Sequence, residues 1–190
     1  KLKTESILES IIENFYISGV INFFLVLNIK HKIWEAEIKQ SISKFKACNF
    51  DIYFIEDTEG QAETAYHGAK YIKSNLPKNH HDPISFHNGD TILFNRDIRS
   101  NLEDLKNIAD GAIDTFPAFD SAYSYVRTSS SGLVSEIKEK KIISNMASSG
   151  LYIFKNCDTF INSYKETEFH NEEKYISEVF QTMLAKHSKI

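Results

Sequence analysis

Metal-ligating and nucleophilic signatures are largely missing from this chain. Its two cysteines, Cys48 and Cys157, lie far apart and fit no zinc-ligand spacing. They read as free thiols of a reducing compartment, which points to the cytoplasm. The seven histidines form neither a His-x-His nor a His-Glu-x-x-His pattern. There is no Gly-x-Ser-x-Gly elbow and no Walker lysine loop. No apolar run reaches membrane-spanning length: residues 20–29 are too few and include Asn22 and Asn28. The opening residues carry no apolar core of a signal peptide. Positive charge is not in excess either. With 22 Lys and Arg against 26 Asp and Glu, the net charge of −4 argues against a protein that grips nucleic acid through a basic face. A local basic pocket stays open. No internal repeat, low-complexity tract or linker interrupts the chain.

What is present is a core. Hydrophobic residues make up 42% of 190 residues, enough for one domain spanning 1–190. Ile7, Leu8, Ile11, Ile12 and Phe15 recur at helical spacing, with Thr4 or Ser6 as cap and Gly19 as stop. Residues 21–29 then form a nearly continuous apolar run, the pattern of a strand buried on both faces. An amphipathic helix over 33–48, a strand over 51–55, a helix over 62–71 and a strand over 84–88 follow, with a surface loop at 78–82. This alternation predicts an α/β fold, three-layered and doubly wound on a mostly parallel mixed sheet. The second half reads as a short helix over 102–108. Strands over 111–116, 122–126, 133–138 and 150–154 then form a mixed or antiparallel extension, with a hairpin loop at 129–132. Helices over 157–164 and 172–186 close the chain. The last carries Tyr175, Ile176, Val179, Phe180, Met183 and Leu184 on one face.

Four stretches could carry chemistry. Asn88-Gly89-Asp90 ends a strand abruptly and places a carboxylate at its carboxyl edge, where open α/β sheets bind ligands. Such a carboxylate suits Mg²⁺ held against phosphate oxygens, though Asn-Gly is also a common turn. Gly60-Gln61-Ala62 opens a helix with free backbone N–H groups and lets a planar ligand approach; a plain loop and N-cap would read the same. Glu139-Lys140 stands at a strand end. The Lys can neutralise a phosphate and the Glu accept sugar hydroxyls, or the pair is a solvated turn. Gly150 opens a strand, as a turn glycine also would.

In this order, over most of the chain, the stretches resemble the sugar-phosphate nucleotidyltransferases, which make nucleotide sugars from a nucleoside triphosphate and a sugar phosphate. Residues 6–12 resemble that family's first long helix and Gly60-Gln61-Ala62-Glu63-Thr64-Ala65 its base-recognition loop. Asn88-Gly89-Asp90 resembles its metal-binding strand end. Gly132-Leu133-Val134 with Glu139-Lys140 resembles its G-x-V…E-K element, and Gly150-Leu151-Tyr152 its G-x-Y strand. Glu173 to Glu178 resembles the segment with a sugar-contacting Glu and a second acidic metal ligand. The branch it most resembles serves bacterial capsule and surface polysaccharide.

The resemblance implies a fold of the nucleotide-diphospho-sugar transferase (GT-A-like) type. It also implies Mg²⁺ as cofactor, a nucleoside triphosphate and a sugar phosphate as partners, and no nucleic acid or membrane. Homo-oligomerisation is left open. Gly60, Gln61, Ala62 and Gly89 would serve the nucleotide. Asp90 and Lys140 would be catalytic, with Asp90 and Glu178 on the metal. Glu139, Gly150 and Glu173 would hold the sugar. The family's opening strand, its Gly-rich triphosphate loop with a basic residue, and its Lys-Pro have no counterpart here. Nor has the segment after the last long helix. The chain therefore reads as trimmed at both ends, the ordered part of a longer protein. Two rivals remain: a non-catalytic binding module that lost the triphosphate loop, and a GT-A glycosyltransferase. The latter is disfavoured because Asn88-Gly89-Asp90 replaces the usual Asp-x-Asp.

Overall fold

The computed structural model describes residues 6–76, 81–99, 102, 105 and 108–190. Thr4, His80 and most of the helix expected over 102–108 lie outside them. Two compact units form. One comprises Lys1–Asp57 with Asn88–Asn101, the other Thr58–His87 with Leu102–Ile190.

In the first unit, α1 (Ile7–Ile17) begins at a capping box. The Ser6 hydroxyl accepts the Glu9 N–H, and the Glu9 carboxylate accepts the Ser6 N–H. Its apolar stripe buries Ile11, Ile12 and Phe15, and Gly19 at φ +87° ends it. Strands β1 (Asn22–Asn28) and β2 (Asn49–Ile55) pair in parallel, Asn22 opposite Asn49 through Asn28 opposite Ile55. Parallel pairing stacks Phe23 on Phe50, ring centroids 5.2 Å apart. β1 was expected to be buried on both faces, yet residues 23–28 are only half-buried. Among the described residues its sheet has two strands, so both are edges.

The helix expected over 33–48 is shorter and starts differently. Asn28 Oδ1 accepts the Lys30 N–H, so a 3-10 turn (Ile29–Trp34) begins directly at the end of β1. The tighter winding shifts the phase of the apolar stripe. Ile33 is left 77% exposed, and α2 (Glu35–Ile42) buries only Ile42.

The second unit holds α3 (Gln61–Asn75), β3 (Ile84–His87), β4 (Gly111–Pro117), β5 (Tyr125–Thr128), β6 (Val134–Lys138), β7 (Met146–Phe154), α4 (Cys157–Lys165) and α5 (Ile176–Ala185). β3, β4 and β5 all pair with β7 antiparallel, and β6 pairs with β5 in the same way. The antiparallel second half is as expected, and β3 belongs to it. Both units together make a mixed α/β fold with a parallel strand pair. The core stacks Phe154 on Phe180 at 4.6 Å and tilts Phe160 against Phe154 at 4.8 Å. Ala62, Ala65 and Ala69 form a small-residue stripe in this core. It allows α3 to lie close to α4, with Tyr66 stacked on Tyr164 at 4.3 Å. No described helix is long and apolar enough to cross a membrane.

Candidate functional site

Glu139 and Lys140 follow directly on β6, and the structure surrounds them with groups from distant parts of the second unit. Glu139 Oε2 accepts from two hydroxyls, Ser177 Oγ at 2.6 Å and Ser124 Oγ. Ser124 and Ser177 are both buried, Ser177 completely. Each hydroxyl donates to the carboxylate and fixes its position. Tyr152 lies in the same network. Burial pushes its phenol well above the usual range, opposed by hydrogen bonds with Ser148 and Ser124. The floor beside Glu139 is thus lined with hydroxyls that an apolar core would not tolerate unpaired.

Lys140 adopts φ +51° in the exposed turn that follows β6. Its Nζ donates to the Tyr175 hydroxyl at 2.6 Å, and that hydroxyl donates to Glu173 Oε2 at 2.5 Å. The Lys140 pKa is raised, first by the bond to Tyr175 and then by its electrostatic environment, including Glu139 and Glu173. The Tyr175 pKa is raised chiefly by the bond to Glu173, which disfavours a second negative charge. Ammonium, phenol and carboxylate therefore form a short chain with Lys140 held protonated.

Gly60, Gln61 and Ala62 open α3, and their contacts are with residues 174–176. Lys174 N–H donates to Glu59 O at 2.7 Å, and Ala62 N–H donates to Lys174 O at 2.9 Å. Ile176 N–H donates to the Gln61 side-chain oxygen at 3.3 Å. Lys174 Nζ also pairs with Glu59 and with Glu63 Oε1. A Cβ on Gly60 would lie 2.7 Å from both N and O of Lys174, and Gly60 has φ +137° with ψ −178°. That backbone region is essentially confined to glycine. The need for glycine thus comes from a strand-like approach of Lys174, and the N–H of Ala62 is already bonded.

Gly150 is not the opening residue of a strand. It sits in the middle of β7 at φ +85°, where the pairing with β4 slips between Ile113 and Thr115. This is a bulge, and the Ser148 hydroxyl accepts the Gly150 N–H at 3.2 Å. The helix expected from residue 172 starts at Ile176, because residues 174–176 are bonded to the start of α3. Tyr175 is consequently a cap with extended backbone, not a core position.

Glu178 is buried at the start of α5. Its Oε1 accepts the His170 N–H at 2.9 Å and its Oε2 the Tyr175 N–H at 3.4 Å. A metal there would have to share these oxygens with the two N–H groups. Gly89 and Asp90 belong to the first unit and form an exposed turn. The Thr91 hydroxyl donates to Asp90 Oδ1 at 3.1 Å, and a Cβ on Gly89 would meet nothing within 4 Å. Among the described residues no three His, Cys, Asp or Glu side chains are placed to share a metal.

The second unit therefore brings Glu139, Lys140 and Glu173 together, and ties Gly60, Gln61 and Ala62 to the neighbouring residues of the same segment. Sequence reasoning missed Ser124, Lys174, Tyr175 and Ser177. The available signal was Glu178, three residues after Tyr175, the spacing at which a side chain reaches back to the start of a helix.

Known proteins agree with this architecture. The chain is similar to the nucleoside-diphosphate-sugar pyrophosphorylase of Vibrio cholerae RC9, with a TM-score of 0.82 at 20% identity over 100% of this chain and 80% of that one. It is similar to a UDP-glucose pyrophosphorylase solved with UDP-glucose, with a TM-score of 0.76 at 15% identity over 97% and 76% of the two chains. HddC from Yersinia pseudotuberculosis gives 0.62 at 19% identity over 90% and 68%. No curated protein matches the chain. The family model described as nucleotidyl transferase matches residues 1–190, and the chain belongs to that family.

Proposed function

We propose that this protein transfers a nucleoside monophosphate from a nucleoside triphosphate to a sugar phosphate, releasing pyrophosphate. The observation that carries the reading is the Glu139–Lys140 pair. One residue is a carboxylate held by two hydroxyls, the other a protonated amine held by a phenol. A carboxylate accepts sugar hydroxyls and an ammonium neutralises phosphate, so the pair matches the two ends of a sugar phosphate. The acceptor phosphate oxygen forms a bond to the α-phosphorus. The bond from that phosphorus to the bridging oxygen breaks, and pyrophosphate leaves with the electron pair. Positioning and charge neutralisation do most of the work in such a transfer. Lys140 would hold the acceptor phosphate, Glu139 and Glu173 its hydroxyls, with Gly150 offering backbone where β7 bulges. Gly60, Gln61, Ala62 and Gly89 would serve the nucleotide.

Magnesium fits Asp90, whose exposed carboxylate offers hard oxygen donors, with the Thr91 hydroxyl at Oδ1. When bound, the ion supplies charge neutralisation on phosphate oxygens. The similarity to nucleotide-sugar pyrophosphorylases supports a nucleotide sugar as product, and we place it among precursors of capsule and other surface polysaccharides made in the cytoplasm.

The test is pyrophosphate release from ATP, CTP, GTP and UTP, each crossed with a panel of hexose and heptose phosphates in Mg²⁺. One productive pair supports the reading. Tight sugar-phosphate binding without release would favour a binding module.

A further inference from the structure

We propose that residues 173–177 form a two-sided strap in which Tyr175 and Ser177 position the acceptor-binding pair while Lys174 and Ile176 hold the nucleotide loop. The inference rests on the functional reading above and assigns roles to residues outside it. It follows from the bonds on either side of the segment, where Tyr175 is the extended cap and Ile176 and Ser177 open α5.

The odd residues serve one side. Glu173 accepts from the Tyr175 hydroxyl, the Tyr175 hydroxyl accepts from Lys140 Nζ, and the Ser177 hydroxyl donates to Glu139 Oε2. The even residues serve the other. Lys174 bonds Glu59 and Ala62 through its backbone, and Ile176 N–H bonds Gln61. Lys174 adds a side-chain ion pair with Glu59. Among the described residues, no strap residue bonds to both sides through its side chain.

Tyr175 is the critical member on the acceptor side. A lysine on an exposed turn has a flexible four-carbon stem and would otherwise sample many positions. The phenol fixes the ammonium from one direction and is itself fixed by Glu173. A phosphate arriving at Lys140 then meets a charge already in place, which lowers the ordering cost of binding. Ser177 does the same for Glu139. It occupies one carboxylate oxygen together with Ser124 and leaves Oε1 for a substrate hydroxyl.

The experiment compares wild type with Tyr175→Phe and Ser177→Ala, which remove one hydroxyl each and keep the packing. Two readouts are needed. One is KM for the acceptor and for the triphosphate in pyrophosphate release. The other is equilibrium binding of glucose 1-phosphate and of UTP without turnover. A lost hydrogen bond to a charged group predicts a rise of about tenfold in acceptor KM or Kd for Tyr175→Phe, and about threefold or more for Ser177→Ala. The triphosphate constant is expected to rise by less than about a third as much. Gln61→Ala should show the reverse preference, raising the triphosphate constant more than the acceptor constant.

Equal effects on both ligands would mean that the strap is scaffold and would overturn the proposal, as would no effect. If wild type releases no pyrophosphate with any pair, the functional reading fails. The binding arm then still decides: weaker glucose 1-phosphate binding in Tyr175→Phe supports the strap, and unchanged or absent binding refutes it.

Discussion

Replacing Gly60 by alanine tests the tie between the start of α3 and the strap. The added Cβ would sit 2.7 Å from the N and O of Lys174. Those are backbone atoms, which cannot swing aside as a side-chain end would. The φ of +137° adds strain of about 1–3 kcal/mol for any residue but glycine. Relieving the clash would pull Lys174 away and weaken two backbone hydrogen bonds, Lys174 N–H to Glu59 O and Ala62 N–H to Lys174 O. Each contributes about 1 kcal/mol. The sum is roughly 3–5 kcal/mol, a large share of the 5–15 kcal/mol that typically separates folded from unfolded chains. For a protein of this size that corresponds to a fall in Tm on the order of 10 °C. Circular dichroism melts give the shift, and amide hydrogen exchange at Ala62 and Lys174 shows whether those bonds opened. A Tm within about 2 °C of wild type, with both amides still protected, would refute the close approach.

Gly89→Ala is the contrast: its Cβ would enter open space, so a stability change within about 0.5 kcal/mol is expected in urea titration. Asp90→Asn should cut pyrophosphate release by about 100-fold or more, the scale of removing a charge stabiliser, with the melt unchanged; normal turnover would remove Asp90 from the metal. Glu178→Gln should destabilise by about 1–3 kcal/mol, since an amide cannot accept through both ends, while leaving the Mg²⁺ requirement unchanged. A shifted Mg²⁺ requirement would restore Glu178 as a ligand. The Lys140 pKa is raised mainly by Tyr175, so the ammonium persists to higher pH than in a free lysine, and in Tyr175→Phe the basic limb of acceptor affinity should move to lower pH. Cys157 is buried and its pKa is raised to about 11, so at pH 8 it should resist a thiol reagent until the chain unfolds. Rapid labelling of the folded protein would contradict its burial.

The elements written in local pattern were legible. The Ser6 cap, the apolar runs of β1 and β2, and the strand end at Glu139-Lys140 follow from periodicity and turn chemistry over a few residues. What was hidden depends on partners distant in sequence. Gly60 reads as room for a planar ligand or as a plain loop, whereas the neighbour that comes close is the Lys174 backbone. Tyr175 kept perfect helical spacing with Val179 and Met183, yet the bonds from Glu59, Gln61 and Ala62 hold residues 174–176 in place and delay the helix. Tertiary hydrogen bonds override a local propensity of a few tenths of a kcal/mol. Gly150 signalled an unusual backbone, but whether that meant a turn or a bulge depended on how β7 pairs with β4. Likewise, a side chain such as Glu178 reads equally well as ligand or cap until the N–H groups of His170 and Tyr175 are located.

Attack at the α-phosphorus by a sugar phosphate is read out by isotope position. Incubation with the productive triphosphate labelled at the α-phosphorus, and separately at the γ-phosphorus, should send the α label into a nucleotide sugar and the γ label into pyrophosphate. Asp90→Asn should lose both. Release of the γ label as inorganic phosphate, or an α label that stays in free nucleotide, would rule out this transfer.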